Sequence, residues 1–366
     1  MAVELAPRPH PRPTHQPLSR HTPPVRTELV QVPAQIGAGA SFDRLRTIGN
    51  ASSARTGVGG GEGDNPARSS APLVPYNRCV NSSINADLHC HSAVSDGTLA
   101  PEALAARAKA NGVELWALTD HDEVSGQQRA RDAALSLALP YLNGTEISVT
   151  FAGTTVHIVG LGFDADDETL KAGLAATRGG RRERALEMAE GLAKVGIEGA
   201  YEGALKFVSN PELISRTHFA RHLVESGKCS DTQEVFRRFL VDGKPGYVPH
   251  RWATLGDAVR WITRSGGVAV IAHPGRYKFS ANEEYALFTE FKAHGGRGVE
   301  VVTGSHGAAD FIKYTDMALE FDLLASRGSD FHSPQESRID LGTLPDLPAQ
   351  LTPVWTALAD RVHRAS

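Results

Sequence analysis

Two short motifs, far apart in the chain, each place two metal-binding side chains two positions apart. His89-Cys90-His91 ends one apolar run, and Asp330-Phe331-His332 follows another apolar run at 321–325. Side chains at positions i and i+2 of a strand lie on the same face, so each pair can converge on one metal ion. Together the two motifs predict metal ions held at the mouth of a barrel.

Residues 84–165 alternate between strand-like and helix-like segments, a pattern typical of a parallel sheet. Strands are expected at 84–90 and 115–119, and helices at 101–110 and 127–139. The sequence therefore predicts an α/β protein in which helices connect neighbouring strands.

The pattern changes after residue 140 and returns near residue 267. A hairpin is expected around residues 152–154, and further strands at 267–272, 298–302 and 323–325. Residues 166–261 are helical and polar without a strong strand. This central segment is predicted to be an inserted cap over the site.

The expected strand ends are rich in side chains that bind metals. They are His89, His91, Asp120, His121, Asp122, Glu146, His157 on the hairpin, His273, His306, Asp330 and His332. The carboxyl ends of parallel barrel strands share one face, and grouping so many titratable groups there is costly unless cations offset it. Taken singly, such residues have simpler explanations, since a histidine can be a core residue and Asp122 can cap a helix.

Residues 1–83 differ in composition from the rest of the chain. Eight of the 21 prolines occur by Pro33, and glycines cluster at 57–63 without apolar periodicity. No register of these glycines gives G-x-G-x-x-G, so they indicate a flexible linker rather than a dinucleotide site. The segment is predicted to be a disordered tail.

The charge balance and the cysteines limit the class of protein. Residues 1–83 carry nine Arg against five Asp or Glu, which is +4, so the total of -4 leaves -8 on the remainder. That charge argues against a broad nucleic-acid-binding surface, and no stable complex with nucleic acid is expected. No apolar run approaches about 18 residues and no secretory signal is visible, so a cytoplasmic protein without membrane contacts is expected. Three scattered cysteines without C-x-x-C fit a reducing compartment, and Cys90 is interpreted as a packing residue.

The ordered motifs resemble the PHP family of metal-dependent phosphoesterases. The matching segments span residues 84 to about 345 and are Asp87-Leu88-His89-Cys90-His91-Ser92, Ser95-Asp96-Gly97, Leu118-Thr119-Asp120-His121-Asp122, Gly144-Thr145-Glu146, His273-Pro274 and Gly328-Ser329-Asp330-Phe331-His332. The Ser-Asp-Gly step and the helical insertion look like the branch of 3',5'-nucleoside bisphosphate phosphatases, whose members also trim short RNA from the 5' end. The resemblance implies a distorted seven-stranded (β/α) barrel at 84–165 and 262–350, a cap at 166–261 and a C-terminal segment at 351–366.

The resemblance also implies three divalent metal ions, with Mn²⁺ favoured and Fe²⁺ or Zn²⁺ as alternatives. His89, His91, Glu146 and Asp330 would hold the first ion. Glu146, His157 and His273 would hold the second, and Asp96, His121 and His332 the third. Mixed imidazole and carboxylate ligands suit these metals better than Mg²⁺ or Ca²⁺. A hydroxide bridging two ions is the expected nucleophile, and His306 is the candidate group to stabilise the leaving oxygen.

A phosphate ester also needs cations outside the metal cluster. Arginines crowd residues 178–184, and Ser215-Arg216-Thr217-His218 begins another helical segment. A guanidinium binds phosphate through a planar fork, and helix N-termini add amide donors. The predicted substrate ligands are Arg184, Arg216, His218 and His306. A solvated helix face explains any single arginine equally well.

Two further features of the insertion have alternative interpretations. His218 and His222 are four residues apart and could form a zinc pair, but no third ligand is near them in the sequence. Tyr247 could stack on a base or, like Trp252, could pack in the core of the insertion.

The predicted function is a phosphohydrolase that removes the 3'-phosphate of nucleoside 3',5'-bisphosphates or hydrolyses short 5'-phosphorylated RNA from its 5' end. The alternatives are a phosphatase for another small phosphomonoester, such as histidinol phosphate, and a non-catalytic metal-stabilised binding module. An amidohydrolase also begins with His-x-His on a barrel strand, but the Asp330-x-His332 ending disfavours that chemistry.

Overall fold

The core of the fold is a seven-stranded sheet in which neighbours in sequence are also neighbours in space. The computed structural model describes residues 84–365, so the predicted tail at 1–83 lies outside the described residues. The strands are β1 (Ala86–Asp87), β2 (Leu115–Leu118), β3 (Tyr141–Phe151), β4 (Thr154–Leu161), β5 (Val268–Ile271), β6 (Gly298–Thr303) and β7 (Leu324–Gly328). All neighbouring pairs are parallel except the two that involve β4.

The sheet nearly closes into a barrel because the chain after β7 returns to the chain after β1. The amide of Leu88 donates to the carbonyl of Arg327, and the amide of His91 donates to the carbonyl of Phe331. In the opposite direction, the amide of Asp330 donates to the carbonyl of His89. The predicted α/β barrel with seven strands is confirmed, and its closure lies at the two metal-binding motifs.

Strand β1 is shorter than the predicted strand at 84–90, although residues 88–90 beyond it are also buried. The amide of Cys90 donates to the hydroxyl of Thr119 rather than to a ladder carbonyl. Residues 141–151 form one continuous strand, β3. It turns into β4 through Ala152 and Gly153, whose φ angles of 45° and 75° suit a tight two-residue hairpin. The predicted hairpin is confirmed.

Ten α-helices are described in residues 84–365. They are α1 (Pro101–Ala110), α2 (Gln127–Ser136), α3 (Glu168–Arg178), α4 (Arg181–Ala193), α5 (Ala200–Leu205), α6 (Arg216–Glu225), α7 (Thr232–Val235), α8 (Leu255–Arg264), α9 (Ala281–Ala293) and α10 (Ala308–Glu320). Helix α1 has the predicted bounds and carries Pro101 in its first turn, where a missing N–H costs nothing. Helix α2 ends before the predicted Leu139 because Ala138 adopts a φ of 50°.

The insertion has an apolar core of its own. Met188, Leu192, Phe219 and Leu223 belong to a cluster that is separate from the barrel core. The first and last helices of the predicted cap segment at 166–261 pack elsewhere, because side chains of α3 and α8 lie in the barrel cluster. The separate apolar core lies in the middle of the predicted cap segment, between α3 and α8. The bounds 166–261 for the cap stay a prediction.

The C-terminal segment packs on the barrel. Val354 and Trp355 are buried in the barrel core cluster. The amide of Ala325 in β7 donates to the carbonyl of Thr352, at 2.8 Å. The predicted separate segment at 351–366 therefore contributes to the barrel core. Within the described residues, no helix is long and apolar enough to span a membrane.

Candidate metal centre

Four side chains from three parts of the barrel meet at one buried point. His89 and His91 follow β1, Glu146 lies in β3, and Asp330 follows β7. Glu146 Oε2 is 3.3 Å from His89 Nε2 and 3.2 Å from His91 Nε2. Asp330 Oδ1 is 3.5 Å and 3.3 Å from the same two nitrogens. This is the set predicted for the first ion, and the structure brings all four members together.

The spacing of these four atoms fits a metal ion better than a hydrogen-bond network. Ligands about 2.0–2.1 Å from a tetrahedral ion lie about 3.3–3.4 Å from each other. Glu146 Oε2 and Asp330 Oδ1 are also buried without a hydrogen-bond partner. A buried carboxylate oxygen without a partner is costly, and a cation would satisfy both.

A second group of side chains surrounds the other oxygen of Glu146. His157 Nδ1 from β4 and His273 Nε2 after β5 each lie 2.8 Å from Glu146 Oε1. This is the set predicted for the second ion. His121 Nδ1 also comes within 3.0 Å of Glu146 Oε2, so His121 lies beside this group as well as in the third one.

The third group forms around Asp96. Its Oδ1 atom is 3.4 Å from His332 Nε2 and 3.9 Å from His121 Nε2, the two predicted co-ligands. His91 Nδ1 is also 3.9 Å from the same oxygen. Asp96 Oδ1 has no hydrogen-bond partner. The wider spacing leaves room for an ion, and the donor set is again imidazole with carboxylate.

The buried carboxylates remain ionised because of the surrounding imidazoles. Burial by itself would raise the pKa of Glu146, but the positive charges that His157, His89 and His121 can carry hold it well below its usual value. The same opposition between burial and neighbouring histidines lowers the pKa of Asp330 and of Asp96. Divalent ions would supply this positive charge directly and leave the imidazoles neutral as ligands.

Glu300 supports the ligands from behind and was not predicted from the sequence. Its Oε1 lies 2.7 Å from His89 Nδ1, and its Oε2 accepts the backbone amide of His273, also at 2.7 Å. A carboxylate in this position fixes the ring orientation of a metal-binding histidine. The signal in the sequence was a single charged residue within the apolar strand β6, Gly298–Thr303.

Asp120 and Asp122 follow β2, but neither belongs to a candidate metal-binding group. Their carboxylates accept hydrogen bonds from neighbouring protein groups instead. Asp120 accepts hydrogen bonds from the hydroxyls of Ser92 and Ser95, which orders the loop that carries Asp96. Asp122 accepts from the amide of Ser148 and pairs with Arg181. Asp122 therefore does not cap α2, which begins after Gly126.

The backbone is strained where it presents the ligands. His273 and Asp330 have φ angles of 28° and 55°, which residues other than glycine rarely adopt. Gly328, at the end of β7, lies against the chain just after β1, where an added Cβ would come 2.3 Å from the Cβ of His89. The site therefore depends on close contact between the ends of β1 and β7.

A cavity between the barrel and the insertion opens onto the metal-binding groups and is lined on the other side by arginines. Arg184 and Arg216, two predicted substrate ligands, both line it. Arg184 Nε donates to the carbonyl of Val248 and Arg216 Nη1 to that of Leu240, at 3.0 and 3.4 Å. Neither arginine forms an ion pair with a carboxylate of residues 84–365. Burial, followed by the charges of Arg216 and Arg181, lowers the pKa of Arg184 to about 10.

The other two predicted substrate ligands do not line this cavity. His218 is fully buried, and its Nδ1 accepts the amide of Ser215 at the start of α6. His306 accepts the amide of Gly275 at Nε2, while Nδ1 lies 3.0 Å from the carbonyl of Val301. Both ring nitrogens of His306 thus lie next to backbone groups, and its contact with the substrate stays a prediction.

Two arginines of this cavity, Arg181 and Arg276, were not predicted from the sequence as site residues. Arg181 lies over the ring of Trp252, with its guanidinium carbon 4.6 Å from the ring centroid. Arg276 lies on the barrel side and donates to Asp330 Oδ2 at 2.8 Å. Their signal was weak because each arginine alone looks like an ordinary surface charge.

Comparisons with known proteins give a consistent result. The family model described as PHP domain matches residues 87–224. A 3',5'-nucleoside bisphosphate phosphatase of Chromobacterium violaceum is 50% identical over 280 residues, covering 76% of this chain and 98% of the relative. A 5'-3' exoribonuclease of Haemophilus influenzae is 41% identical, covering 74% of this chain and 97% of the relative. A solved structure from Chromobacterium violaceum, described as an amidohydrolase with bound sulfate and no metal, has a TM-score of 0.75 at 49% identity and covers 77% of this chain and 98% of that one.

Replacing Glu300 tests its supporting role. In Glu300→Gln we expect the affinity for the divalent metal to fall about 10- to 100-fold, because the ring of His89 loses its carboxylate partner. Competition with a metal-buffering chelator measures the affinity. Glu290→Gln, at an exposed position of α9, is the control and should bind metal like the unchanged protein. Equal affinities for all three proteins would contradict the assignment.

The buried position of His218 predicts a pH dependence of stability. Burial lowers the pKa of His218 from 6.5 to about 4, so the folded protein keeps it neutral. The unfolded chain takes up the proton first, so this stability is complete above pH 6.5 and is lost as the pH falls toward 4. At pH 5 the loss is on the order of 2 kcal/mol.

His218→Gln removes this titration but keeps an acceptor for the amide of Ser215, since Gln is favoured at this helix position. We expect urea unfolding of the metal-free variant to lose less free energy between pH 7 and pH 5 than the unchanged protein. His294→Gln, at a partly exposed site, is the matched control. Parallel pH curves for His218→Gln and the unchanged protein would refute the prediction.

Proposed function

The chain belongs to the PHP-domain family of metal-dependent phosphoesterases, and we propose that it hydrolyses nucleoside 3',5'-bisphosphates at the 3'-phosphate and short 5'-phosphorylated RNA from the 5' end. The two activities are those of its relatives from Chromobacterium violaceum and Haemophilus influenzae. Both reactions require an enzyme that binds a phosphate at the 5' position and cleaves the ester on the 3' side of the same nucleotide. One arrangement of the site can therefore serve both.

The main support for this proposal is that one cavity is lined both by carboxylates with their histidines and by arginines without carboxylate partners. The barrel side presents Glu146, Asp330 and Asp96 with their histidines, which is a set suited to metal cations. The insertion presents Arg184 and Arg216 without carboxylate partners in residues 84–365. Unpaired guanidinium groups in a partly buried cavity favour a bound anion. A substrate with two phosphates meets both requirements.

We propose that the three groups hold three divalent ions, with Mn²⁺ favoured and Fe²⁺ or Zn²⁺ as alternatives. The support is the mixed imidazole and carboxylate donor set, together with the unpartnered oxygens of Glu146, Asp330 and Asp96. Such ions would lower the pKa of a bound water to near neutrality and withdraw charge from the phosphoryl oxygens. All remaining contacts to the substrate come from the protein.

Arg184 and Arg216 are the proposed ligands of the 5'-phosphate. Their guanidinium groups are each fixed by a backbone carbonyl, which leaves further N–H donors directed toward the cavity. Arg216 lies in the first turn of α6, close to the free amides of the helix N-terminus. The 5'-phosphate held there leaves the 3'-phosphate to face the metal-binding groups.

Two other parts of the proposal concern location and partners. A reducing cytoplasmic compartment fits the two free cysteines of the described residues, Cys90 and Cys229, which form no disulfide. The proposed partners are the nucleotide and short RNA substrates only. The overall charge of -4 gives no support for a lasting complex with nucleic acid.

Removing the metal tests the proposed chemistry. After dialysis against a chelator, we expect phosphate release from nucleoside 3',5'-bisphosphate to fall to the background rate, and Mn²⁺ to restore it. Elemental analysis of the same preparation gives the metal identity and number. Histidinol phosphate serves as the comparison substrate, scored by kcat/KM. Higher kcat/KM for histidinol phosphate, or full activity without metal, would reject the proposed function.

Replacing Arg216 tests the 5'-phosphate contact. In Arg216→Ala we expect kcat/KM for nucleoside 3',5'-bisphosphate to fall roughly 10- to 100-fold, the effect of losing a hydrogen-bonded charge contact of about 1.5–3 kcal/mol. Turnover of nucleoside 3'-monophosphate, which lacks the 5'-phosphate, should change little.

Arg237→Ala is the matched control, because Arg237 is an exposed arginine of the same insertion. It should behave like the unchanged protein with both substrates. If Arg216→Ala lowered the turnover of both substrates equally, Arg216 would not be the ligand of the 5'-phosphate.

A further inference from the structure

Arg276 occupies a position that the proposed function leaves unexplained. It ends the single helical turn Pro274–Arg276, which follows β5 directly after His273. The side chain is half exposed and lines the cavity from the barrel side, opposite Arg184 and Arg216. Of the four arginines that line this cavity, it is the one supplied by the barrel strands' own loops.

The turn that carries Arg276 is held on both sides. The amide of Gly275 donates to His306 Nε2 at 3.0 Å, and the hydroxyl of Tyr277 donates to the carbonyl of Ala272 at 2.9 Å. Tyr277 also accepts the amide of His157. Gly275 has no room for a side chain, because an added Cβ would lie 2.9 Å from the ring of His306. This fixed turn limits the positions that the guanidinium of Arg276 can reach.

The guanidinium of Arg276 has one protein partner in residues 84–365. Its Nη1 donates to Asp330 Oδ2 at 2.8 Å, while Asp330 Oδ1 points to His89 and His91. Asp330 thus divides its two oxygens between the arginine and the first metal-binding group. The remaining N–H groups of Arg276 have no protein acceptor and face the cavity beside that group.

Arg276 lines the same cavity as the arginines of the insertion. Arg216 and Arg276 both line this cavity, and the positive charge of Arg276 acts together with burial to lower the pKa of Arg216. Two like charges on opposite walls repel each other unless an anion lies between them. A nucleotide with phosphates on both sides of its ribose would present one to each wall.

We propose that Arg276 binds the non-bridging oxygens of the phosphoryl group that is cleaved, and that its bond to Asp330 orients it for this contact. This proposal rests on the proposed function in assigning the 3'-phosphate to the barrel side. The ester bond breaks between phosphorus and the 3' oxygen, water supplies a hydroxyl group to phosphorus, and its remaining proton goes to the leaving 3' oxygen, which gives inorganic phosphate and a 3'-hydroxyl. Arg276 stabilises the charge on the phosphoryl oxygens without exchanging a proton. A guanidinium suits this role because its planar fork matches two phosphate oxygens.

The kinetic test compares two substrates at saturating metal. In Arg276→Ala, kcat/KM should fall about 10- to 100-fold for both nucleoside 3',5'-bisphosphate and nucleoside 3'-monophosphate, by the same factor. In Arg216→Ala only the bisphosphate should be affected. Arg276→Lys should lie between the unchanged protein and Arg276→Ala, because it keeps the charge but loses the fork. Lys278→Ala is the matched control, since Lys278 is exposed on the same segment and does not line the cavity.

Two further measurements separate a phosphate contact from an effect through Asp330. Elemental analysis should show an unchanged metal content in Arg276→Ala, and calorimetric titration should show inorganic phosphate binding about tenfold more weakly than to the unchanged protein. Loss of metal from Arg276→Ala, or full activity at saturating metal, would overturn the proposal, as would a loss confined to the bisphosphate.

The same titration distinguishes the failure of this proposal from the failure of the proposed function. If the unchanged, metal-loaded protein cleaves neither nucleotide but its phosphate affinity still depends on Arg276, the substrate assignment fails and the role of Arg276 is supported. If it cleaves both nucleotides and Arg276→Ala binds phosphate normally, the proposed function is supported and the role of Arg276 is rejected.

Discussion

Burial of the Glu146 carboxylate is the constraint on which the rest of the site depends. The side chain is inaccessible to solvent, and its two oxygens face imidazoles that follow β1, β2 and β5 or lie in β4. A carboxylate in such a place is stable as an anion only if positive charge surrounds it. The barrel supplies that charge by placing histidines at several strand ends around one central residue. Divalent ions would replace the protons on those histidines, so the same packing serves both the fold and the binding of metal.

Closure of the barrel and assembly of the site involve the same backbone. The motif at 89–91 and the motif at 330–332 exchange amide hydrogen bonds, and these bonds join the first strand to the last. Gly328 permits the close approach, and the left-handed conformation of Asp330 turns its carboxylate toward His89 and His91. Metal ions bound between the two motifs would bind only the closed barrel and would therefore stabilise it by mass action. The strain at Asp330 and His273 is local to the ligands, where such strain is expected.

The members of the candidate metal-binding groups could be picked out from the sequence because most of them lie at or near the ends of short apolar runs and several share the two-residue spacing of a strand. Pro101 likewise allowed the start of α1 to be predicted.

Residues whose role depends only on their neighbours in the folded structure could not be found in this way. Glu300 and Arg276 carry no motif, and their roles depend on which side chains the closed barrel brings next to them. His306 follows a strand as several candidate ligands do, but its ring contacts the amide of Gly275 and the carbonyl of Val301, so its predicted contact with the substrate stays a prediction. Position after a strand identifies candidates, whereas the direction of the side chain is set by packing.

The placement of the arginines explains why the insertion belongs to the same site as the barrel. The insertion has its own apolar core, but two of its arginines bind the barrel. Arg181 pairs with Asp122, which follows β2. Arg221 donates two hydrogen bonds to the carboxylate of Glu336, which lies beyond β7. These contacts hold the helices that carry Arg184 and Arg216 over the metal-binding groups. Because Asp122 neutralises Arg181 and no carboxylate of residues 84–365 pairs with Arg184 or Arg216, the unpaired positive charge that the insertion brings to the cavity comes from Arg184 and Arg216. The cavity is therefore lined by unpaired cations of the insertion as well as by the candidate metal ligands of the barrel. Under the proposed function, one nucleotide would be held at one phosphate by the arginines and cleaved at the other beside the metal-binding groups.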